Sequence, residues 1–321
     1  FRWDSEMAEK AHVHCVIIGF STAPNEAPRR LYYNKVDFVE VKHINAYLMD
    51  AEDVFVESRK KPLCEVPEIG IGNKPIDGGN YLFTEAGRDA FIKQEPEAAK
   101  YFRPWYGAEE FLYNKPRYCL WLGDCSPAEL RRMPHAYKRV EAVRQYRLAS
   151  KSSGTRKLAD KPTRFHVENM PDTNYLLVPR VSSERRQYVP IGYMTPDVIC
   201  SDRVALIPSA TLYHFGILTS SVHNAWMRAV CGRLKSDYRY SKDIVYNNFP
   251  WPTVTDADRA KIEATAQAIL NAREAYPDSS LADLYDATAM PPDLRRAHSR
   301  NDDAVLRLYG LSADAPEPTI V

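Results

Sequence analysis

YLLVPRVSSERRQYVPIGYMTPDVICSDRVALIP, residues 175–208, decides the fold class. Its apolar runs are short: Tyr175–Val178, Tyr188–Ile191, Val198–Ile199 and Val204–Ile207, with turn-forming and charged residues between them. With Phe165 before it and Tyr213–Leu218 after it, the stretch reads as a small β-rich region.

Toward the C-terminus the period changes. Ser220–Arg233 reads as a helix with Val222, Trp226, Ala229 and Val230 on one face and Gly232 placed to end it. Asp256–Ala275 places Ile262, Ala266, Ile269 and Leu270 in helical register, and shorter helices are expected at Leu281–Ala289 and Asp302–Tyr309. The longest stretch free of Asp, Glu, Lys and Arg, Val204–Met227, contains Pro208, His214, His223 and Asn224, and reads as strands leading into a helix rather than a membrane span.

Toward the N-terminus, Ser126-Pro127-Ala128-Glu129 supplies an N-cap, a Pro at N1 and a Glu at N3 for a helix running to about Arg147, with Arg131, Arg132, Lys138, Arg139, Arg144 and Arg147 on it. The polar, basic Lys151–Arg164 reads as mobile until something binds it. RYCLWLGD (117–124) alternates as a strand, Glu85–Lys93 and Pro96–Phe102 look helical, and Asp77-Gly78-Gly79 makes a tight turn into the strand Asn80–Phe83. Gly70-Ile-Gly72 is no nucleotide loop, because the third Gly of GxGxxG would fall at Pro75 and no helix opens there. The Pro- and Gly-rich run from Pro62 to Gly79 marks a boundary. Before it, AHVHCVIIGFS (11–21) reads as a buried strand, Arg30–Tyr33 and Val36–Val41 as extended segments, and HINAYLMDAEDVFV (43–56) as a helix. That is too little for a domain and reads as the trailing edge of one whose bulk lies upstream.

The 321 residues, 45% hydrophobic and 26% charged, are those of a soluble globular protein with room for about two units. The chain opens at Phe1 with no signal peptide, and its 6 cysteines form no CxxC pair, which points to reduced thiols in a cytoplasm. His12, His14 and Cys15 alternate in a β-run and read as structural, so no metal is expected. The net charge of +1 hides a segregation: Arg131–Arg186 holds 14 Lys and Arg against 5 Asp and Glu, and Thr253–Asp303 holds 6 against 10. The basic middle would attract a polyanion.

No complete catalytic constellation is present. GxSxG, HExxH, the P-loop and GxGxxG are all missing, and Met290-Pro291-Pro292-Asp293 lacks the flanking Asn and aromatic residue of an adenine-methyltransferase tetrapeptide. Nucleic-acid chemistry is better supplied. Phosphates need cations and hydroxyls, offered by Lys151, Ser152, Arg156 and Lys157 and by Ser182, Ser183, Arg185 and Arg186. Reading a G·C pair needs Arg or Lys for guanine and Asp or Glu for the cytosine amino group, and two local pairs combine both signs, Asp202-Arg203 and Lys235-x-Asp237. As surface ion pairs the same residues would contribute under about 1 kcal/mol. KSDYRYSKDIVYNNFPWP (235–252) adds Arg239 and Lys242 among tyrosines, which could pack or stack. An RNA or single-strand binding module and a non-catalytic protein-interaction domain are the other readings.

FRWDSEMAEKAHVHCVIIGFS, GNKPIDGGNYLF, FRPWYGAEEFLYNKPRYCLWL, VPRVSSERRQYVPIGY and HNAWMRAVCGRLKSDYRYSKDIVYNNFPWP, in this order, resemble the C-terminal half of MmeI-like enzymes, bacterial type IIL (a form of type IIG) restriction-modification proteins. The resemblance implies an α+β fold: a β-rich target-recognition domain with flanking helices over 63–240, preceded at 1–62 by the last strands of an α/β methyltransferase domain and followed at 241–321 by a helical C-terminal region. It also implies a double-stranded DNA partner, an upstream adenine-N6 methyltransferase domain that uses S-adenosylmethionine, and no catalytic or cofactor-binding residue in this chain. By the same resemblance, base-reading positions fall on Lys74, Arg180, Asp202, Arg203, Lys235 and Asp237, of which Lys74 and Arg180 fit a phosphate contact equally. The helix ending near Gly232 would deliver Lys235 and Asp237, Arg239 and Lys242 would hold the DNA backbone, and Phe249–Pro252 would dock the C-terminal helices.

Overall fold

The computed structural model describes residues 2–4, 12–34, 36–53, 55–115 and 117–321. Near the N-terminus, β1 (Arg2–Asp4) pairs antiparallel with β2 (His12–His14), and β3 (Arg29–Tyr32) with β4 (Phe38–Val41). The strand expected over 11–21 stops at His14, and Val16, Ile17, Ile18 and Phe20 are at least 61% exposed. An apolar run is buried only where a second layer covers it, and no described layer covers this one. The metal question at His12, His14 and Cys15 falls on histidine side chains outside the described residues; among those described, no group of 3 or more His, Cys, Asp or Glu could hold an ion.

The helix expected over 43–56 does not form. Asn45 Oδ1 accepts from the N–H groups of Tyr47 (3.0 Å) and Met49 (3.1 Å), and Leu48 turns back at φ +59°, so a side-chain-bonded turn takes the donors a helix would use. Val54 of that expected helix lies outside the described residues.

Beyond the Pro- and Gly-rich boundary the chain builds small sheets from β5 (Gly70–Ile71), β6 (Leu82–Thr84), β7 (Phe102–Tyr106), β8 (Arg117–Leu120), β9 (Tyr175–Pro179), β10 (Val181–Ser182), β11 (Gly192–Met194), β12 (Ile199–Cys200), β13 (Val204–Pro208), β14 (Gly232–Leu234) and β15 (Asp237–Arg239). One sheet runs β11-β9-β13-β5, a second β12-β7-β8-β6 and a third β10-β15-β14; apart from the parallel β12–β7 pair, all neighbours are antiparallel. Two short connections carry the chain between sheets. Residues 201–203 leave β12 in the second sheet and enter β13 in the first, and Arg180 leaves β9 in the first and enters β10 in the third.

Helices α1 (Glu85–Gln94), α2 (Ala108–Tyr113), α3 (Pro127–Arg132), α4 (Pro134–Leu148) and α5 (Ser153–Lys157) lie between the strands. The Ser126/Glu129 capping box forms, but the helix it opens breaks at Pro134, whose nitrogen has no hydrogen to donate. A new helix starts there, with the Glu95 carboxylate accepting from the N–H groups of His135 and Ala136, each at 2.8 Å. Arg147, counted by its sequence position among the basic residues of one long helix, is fully buried. It bonds Leu158, Lys161 and Arg164 carbonyls, so 151–164 is a short helix and turns rather than the mobile segment expected.

The C-terminal elements are α6 (Leu212–Leu218), α7 (Ser221–Val230), α8 (Asp256–Glu274), α9 (Leu281–Leu284), α10 (Pro292–Leu308) and α11 (Glu317–Ile320). The first of the two shorter helices is cut to α9. The second begins at Pro292, ten residues before the start read from periodicity, because Pro suits the first helical turn. Leu176 and Val178 of β9, Phe215 of α6, Ile262 and Ile269 of α8 and Leu294 and Val305 of α10 share one core, which joins the first sheet to the C-terminal helices. The Phe249–Pro252 segment docks there: Tyr309 donates to Pro250 O at 2.8 Å, and Trp251 packs against Tyr213 with ring centroids 6.2 Å apart.

This core sets the acid response. Burial pulls His214 down to about 4, His223 to about 3 and His298 well below its ordinary value. Each gains a proton on unfolding below about pH 6.5, so stability falls as the pH drops. Asp302 opposes this. Burial raises its carboxyl to about 6, against hydrogen bonds from Tyr188 OH (2.6 Å) and Ser221 N–H (2.7 Å). Between about pH 4 and 6 the native state keeps a proton the unfolded chain has lost, a stabilisation that disappears as the pH rises through 6. Asp302→Asn retains an acceptor for Ser221 but cannot titrate. Its stability should fall more steeply than wild type from pH 6 to 4, by about 1.4 kcal/mol per pH unit. Urea unfolding at pH 4, 5, 6 and 7 measures this, and parallel curves would refute it.

Candidate nucleic-acid interface

The turn between β12 and β13 presents Asp202 and Arg203. Asp202 N–H donates to Asn73 O (2.8 Å), Arg203 N–H to Ser201 Oγ (3.3 Å), and Arg180 Nη1 to Asp202 O (2.9 Å). Lys74 reaches the same turn from the chain following β5. Its backbone bonds Val167 in a β-bridge, and its Nζ lies 3.6 Å from Asp202 Oδ2. Lys74 and Arg203 are exposed and Asp202 is half-buried. An ion pair this accessible contributes under about 1 kcal/mol, so a ligand can replace it at little cost.

Asn73 fastens this arrangement. It is 1% exposed, its Nδ2 donates to Asn169 O and Cys200 O at 3.0 Å each, and its Oδ1 accepts from Asn169 N–H at 2.7 Å. The sequence reading passed over it, since nothing local marks an Asn whose partners are so distant in the chain.

Arg180 links this turn to the third sheet. Its N–H donates to Arg203 O (3.3 Å) and its carbonyl accepts from Tyr240 N–H (2.9 Å). Val181 and Ser182 then pair with Arg239 and Tyr238 of β15. With Nη1 already spent on a backbone carbonyl, the Arg180 side chain braces the Asp202 turn.

Lys235 and Asp237 stand on a β-hairpin. The helix expected to deliver them ends at Val230, and Gly232 opens β14 instead of capping the helix, because Cys231 is already extended at ψ 152°. β14 pairs with β15 from Gly232↔Arg239 to Leu234↔Asp237, leaving Lys235 and Ser236 as the tip, with Lys235 at φ +57°. The strand pair needs a left-handed residue there to match its twist. Arg233 braces the tip, donating to Ser236 O at 2.9 Å and lying 4.0 Å over the Tyr238 ring. Asp237 Oδ1 accepts from Glu184 N–H (3.4 Å) and lines a cleft of about 330 Å³ with Tyr113, Ser183, Arg185, Arg186 and Asp286. Tyr113 and Asp286 carry no local sequence signal for this place.

The candidate phosphate contacts divide by exposure. Lys151, Ser152, Arg156, Lys157, Arg185 and Arg239 are exposed, and Ser183, Arg186 and Lys242 half-buried. Arg156 Nη1 bonds the carbonyls of Ser150 and Lys151, Ser152 Oγ caps α5, and Lys242 Nζ lies 3.6 Å from Asp243. Ser182 is 4% exposed, so its hydroxyl does not reach the surface. Tyr238, Tyr240 and Tyr246 are buried; Tyr240 OH meets His223 Nε2 at 2.9 Å and Tyr246 OH donates to Pro67 O at 2.7 Å. They pack rather than offer faces for stacking.

Residues 50–253 match the family model described as MmeI, target recognition domain, and residues 254–318 the one described as MmeI, C-terminal domain. The chain is 37% identical over 310 residues to DNA methyltransferase A of Bacillus subtilis (strain 168), a match covering 96% of this chain and 35% of that protein. It superposes on the type IIL restriction-modification enzyme MmeI, solved in complex with DNA, with a TM-score of 0.95 and 42% identity, covering 100% of this chain and 43% of that one. It thus spans less than half the length of either. With these matches covering most of its length, the chain belongs to the MmeI family and carries its target recognition and C-terminal domains.

Proposed function

We propose that this chain reads the sequence of double-stranded DNA for an adenine-N6 methyltransferase of the restriction-modification type, acting with a methyltransferase domain of the same polypeptide. The observation that carries this reading is the joining of Lys74, Asp202 and Arg203 to the Lys235/Asp237 hairpin through Arg180, so that two mixed-charge groups stand on one connected scaffold. Side chains of both signs can address both bases of a G·C pair in the major groove. Lys151, Arg156, Lys157, Arg185, Arg186, Arg239 and Lys242 would hold phosphates and set the register.

S-adenosylmethionine would be the cofactor of the complete polypeptide, where it supplies the transferred methyl group. Within Gly70-Ile-Gly72, a Cβ on Gly72 would lie 2.1 Å from Ser201 O, so the open face of that glycine is filled by protein backbone. No step of methyl transfer is assigned to these residues. A single-strand reading needs exposed aromatic faces; the tyrosines of 238–246 are buried, whereas Tyr137 and Tyr146 of α4 are exposed, so competition between duplex and single strand separates the two readings.

Fluorescence anisotropy on a mixed-sequence duplex tests the proposal. With about four of these seven cations each neutralising a phosphate, affinity should fall on the order of 100-fold between roughly 50 and 200 mM salt. Arg185→Ala with Arg186→Ala removes two cations and should cut that fall to about 10-fold. A flat salt response, or preference for single strands over duplex, would overturn the reading.

A further inference from the structure

Arg147, in the last turn of α4, is fully buried and all of its hydrogen bonds go to backbone carbonyls. Nε donates to Ile76 (2.9 Å), Nη1 to Leu158 (2.8 Å) and Lys161 (2.9 Å), and Nη2 to Pro75 (2.8 Å) and Arg164 (2.7 Å). A guanidinium has five N–H donors, and all are spent here, so Arg147 has nothing left to offer a ligand.

The recipients matter. Pro75 and Ile76 directly follow Lys74, and Leu158, Lys161 and Arg164 end the segment that begins with Lys151, Ser152, Arg156 and Lys157. Ile76 holds φ +48°, a left-handed backbone in which a β-branched residue is an outlier that the surroundings must impose. Arg147 bonds the carbonyls on both sides of that strained link. The other end of the loop is fixed at Lys74, whose carbonyl accepts from His166 and Val167 N–H.

We propose that Arg147 is a positioning residue for sequence readout: it clamps the Lys74 loop in its left-handed turn and fastens it to the Lys151–Arg164 segment, so that base and phosphate contacts are presented as one rigid unit. This rests on the DNA-reading function above. The hairpin of β14 and β15 shares none of the five bonds and connects to this loop only at a distance, through Arg180, so its readout should change less than that of the Lys74 loop.

The test is selection from a randomised duplex pool with the full-length polypeptide, comparing wild type, Lys74→Ala, Arg147→Met, Arg147→Lys and Arg147→Lys with Ile76→Gly. Lys74→Ala identifies the base position its loop reads, and exchange of Lys235 with Asp237 identifies the hairpin's. Arg147→Lys, with three donors in place of five, is expected to lose discrimination on the order of 10-fold at the Lys74 position and to keep the hairpin position. Arg147→Met is expected to show the same pattern more strongly; if it does not fold, the Lys variant carries the test. Ile76→Gly should restore part of the loss, because glycine adopts the left-handed turn unaided. Equal loss at both positions, unchanged preference at the Lys74 position, or no rescue would overturn the positioning role. Wild-type protein that enriches no sequence would overturn the DNA reading itself.

Discussion

Exchanging the hairpin charges, Lys235→Asp together with Asp237→Lys, is expected to invert the preferred base pair at one position of the target and leave overall affinity nearly unchanged. Lysine addresses guanine O6 and N7, and a carboxylate accepts from the cytosine amino group, so swapping them across the hairpin tip swaps the strand on which each base is sought. The backbone permits the exchange. Position 235 sits at φ +57°, where Asp is more comfortable than Lys, and position 237 is an ordinary strand residue. The cost is the 3.4 Å bond from Glu184 N–H to Asp237. Discrimination at the affected position should shift by about 10- to 100-fold, with the salt slope unchanged because the cation count is the same. Selection from a randomised duplex pool reads this directly, and recovery of the wild-type site would remove the pair from the list of base readers.

Gly72→Ala should be the most damaging single methyl in the site. The added carbon would lie 2.1 Å from Ser201 O and 2.7 Å from Cys200 O, backbone atoms at the end of β12 and the start of its connection to β13. Relief requires separating chains that Gly72 N→Val204 O (3.1 Å), Asn73 N→Cys200 O (2.6 Å) and Asp202 N→Asn73 O (2.8 Å) hold together. The loss should be about 3 kcal/mol or more, with Tm lower by roughly 5 °C or more. The same separation moves Lys74 away from Asp202, so discrimination at their base position should go with it. Gly232→Ala is the control: nothing lies within 4 Å of its Cβ position, and it should melt like wild type. If both variants melt alike, the close approach at Gly72 is not what holds this turn.

Much of the site's chemistry was legible one residue at a time. Asp202-Arg203 and Lys235-x-Asp237 stand out because each sets opposite charges side by side in a β-rich stretch, a pattern that serves a surface ion pair as well as a G·C pair. The Ser126/Glu129 box and the α8 register were legible for a related reason: capping and amphipathic periodicity act within one or two turns of chain. The readings that failed were those in which a local preference met a competitor. Asn45 bonded its own turn and stopped a helix, Pro134 divided another, and the apolar run at 16–20 stayed exposed because no described layer covers it.

The sequence by itself determined which residues carry charge and hydrogen-bonding chemistry, and the alternation of short strands and long helices that makes the fold α+β. Tertiary structure alone decided what those residues are free to do. Arg147 and Arg203 are the same residue type, yet one is buried and spends every donor on backbone carbonyls while the other faces solvent. Likewise Lys235 owes its place to a hairpin tip and Asp202 to a crossing between sheets. The reason is range. Propensity, capping and charge are properties of near neighbours, whereas burial and the exhaustion of a donor depend on partners the chain brings together only after it has folded.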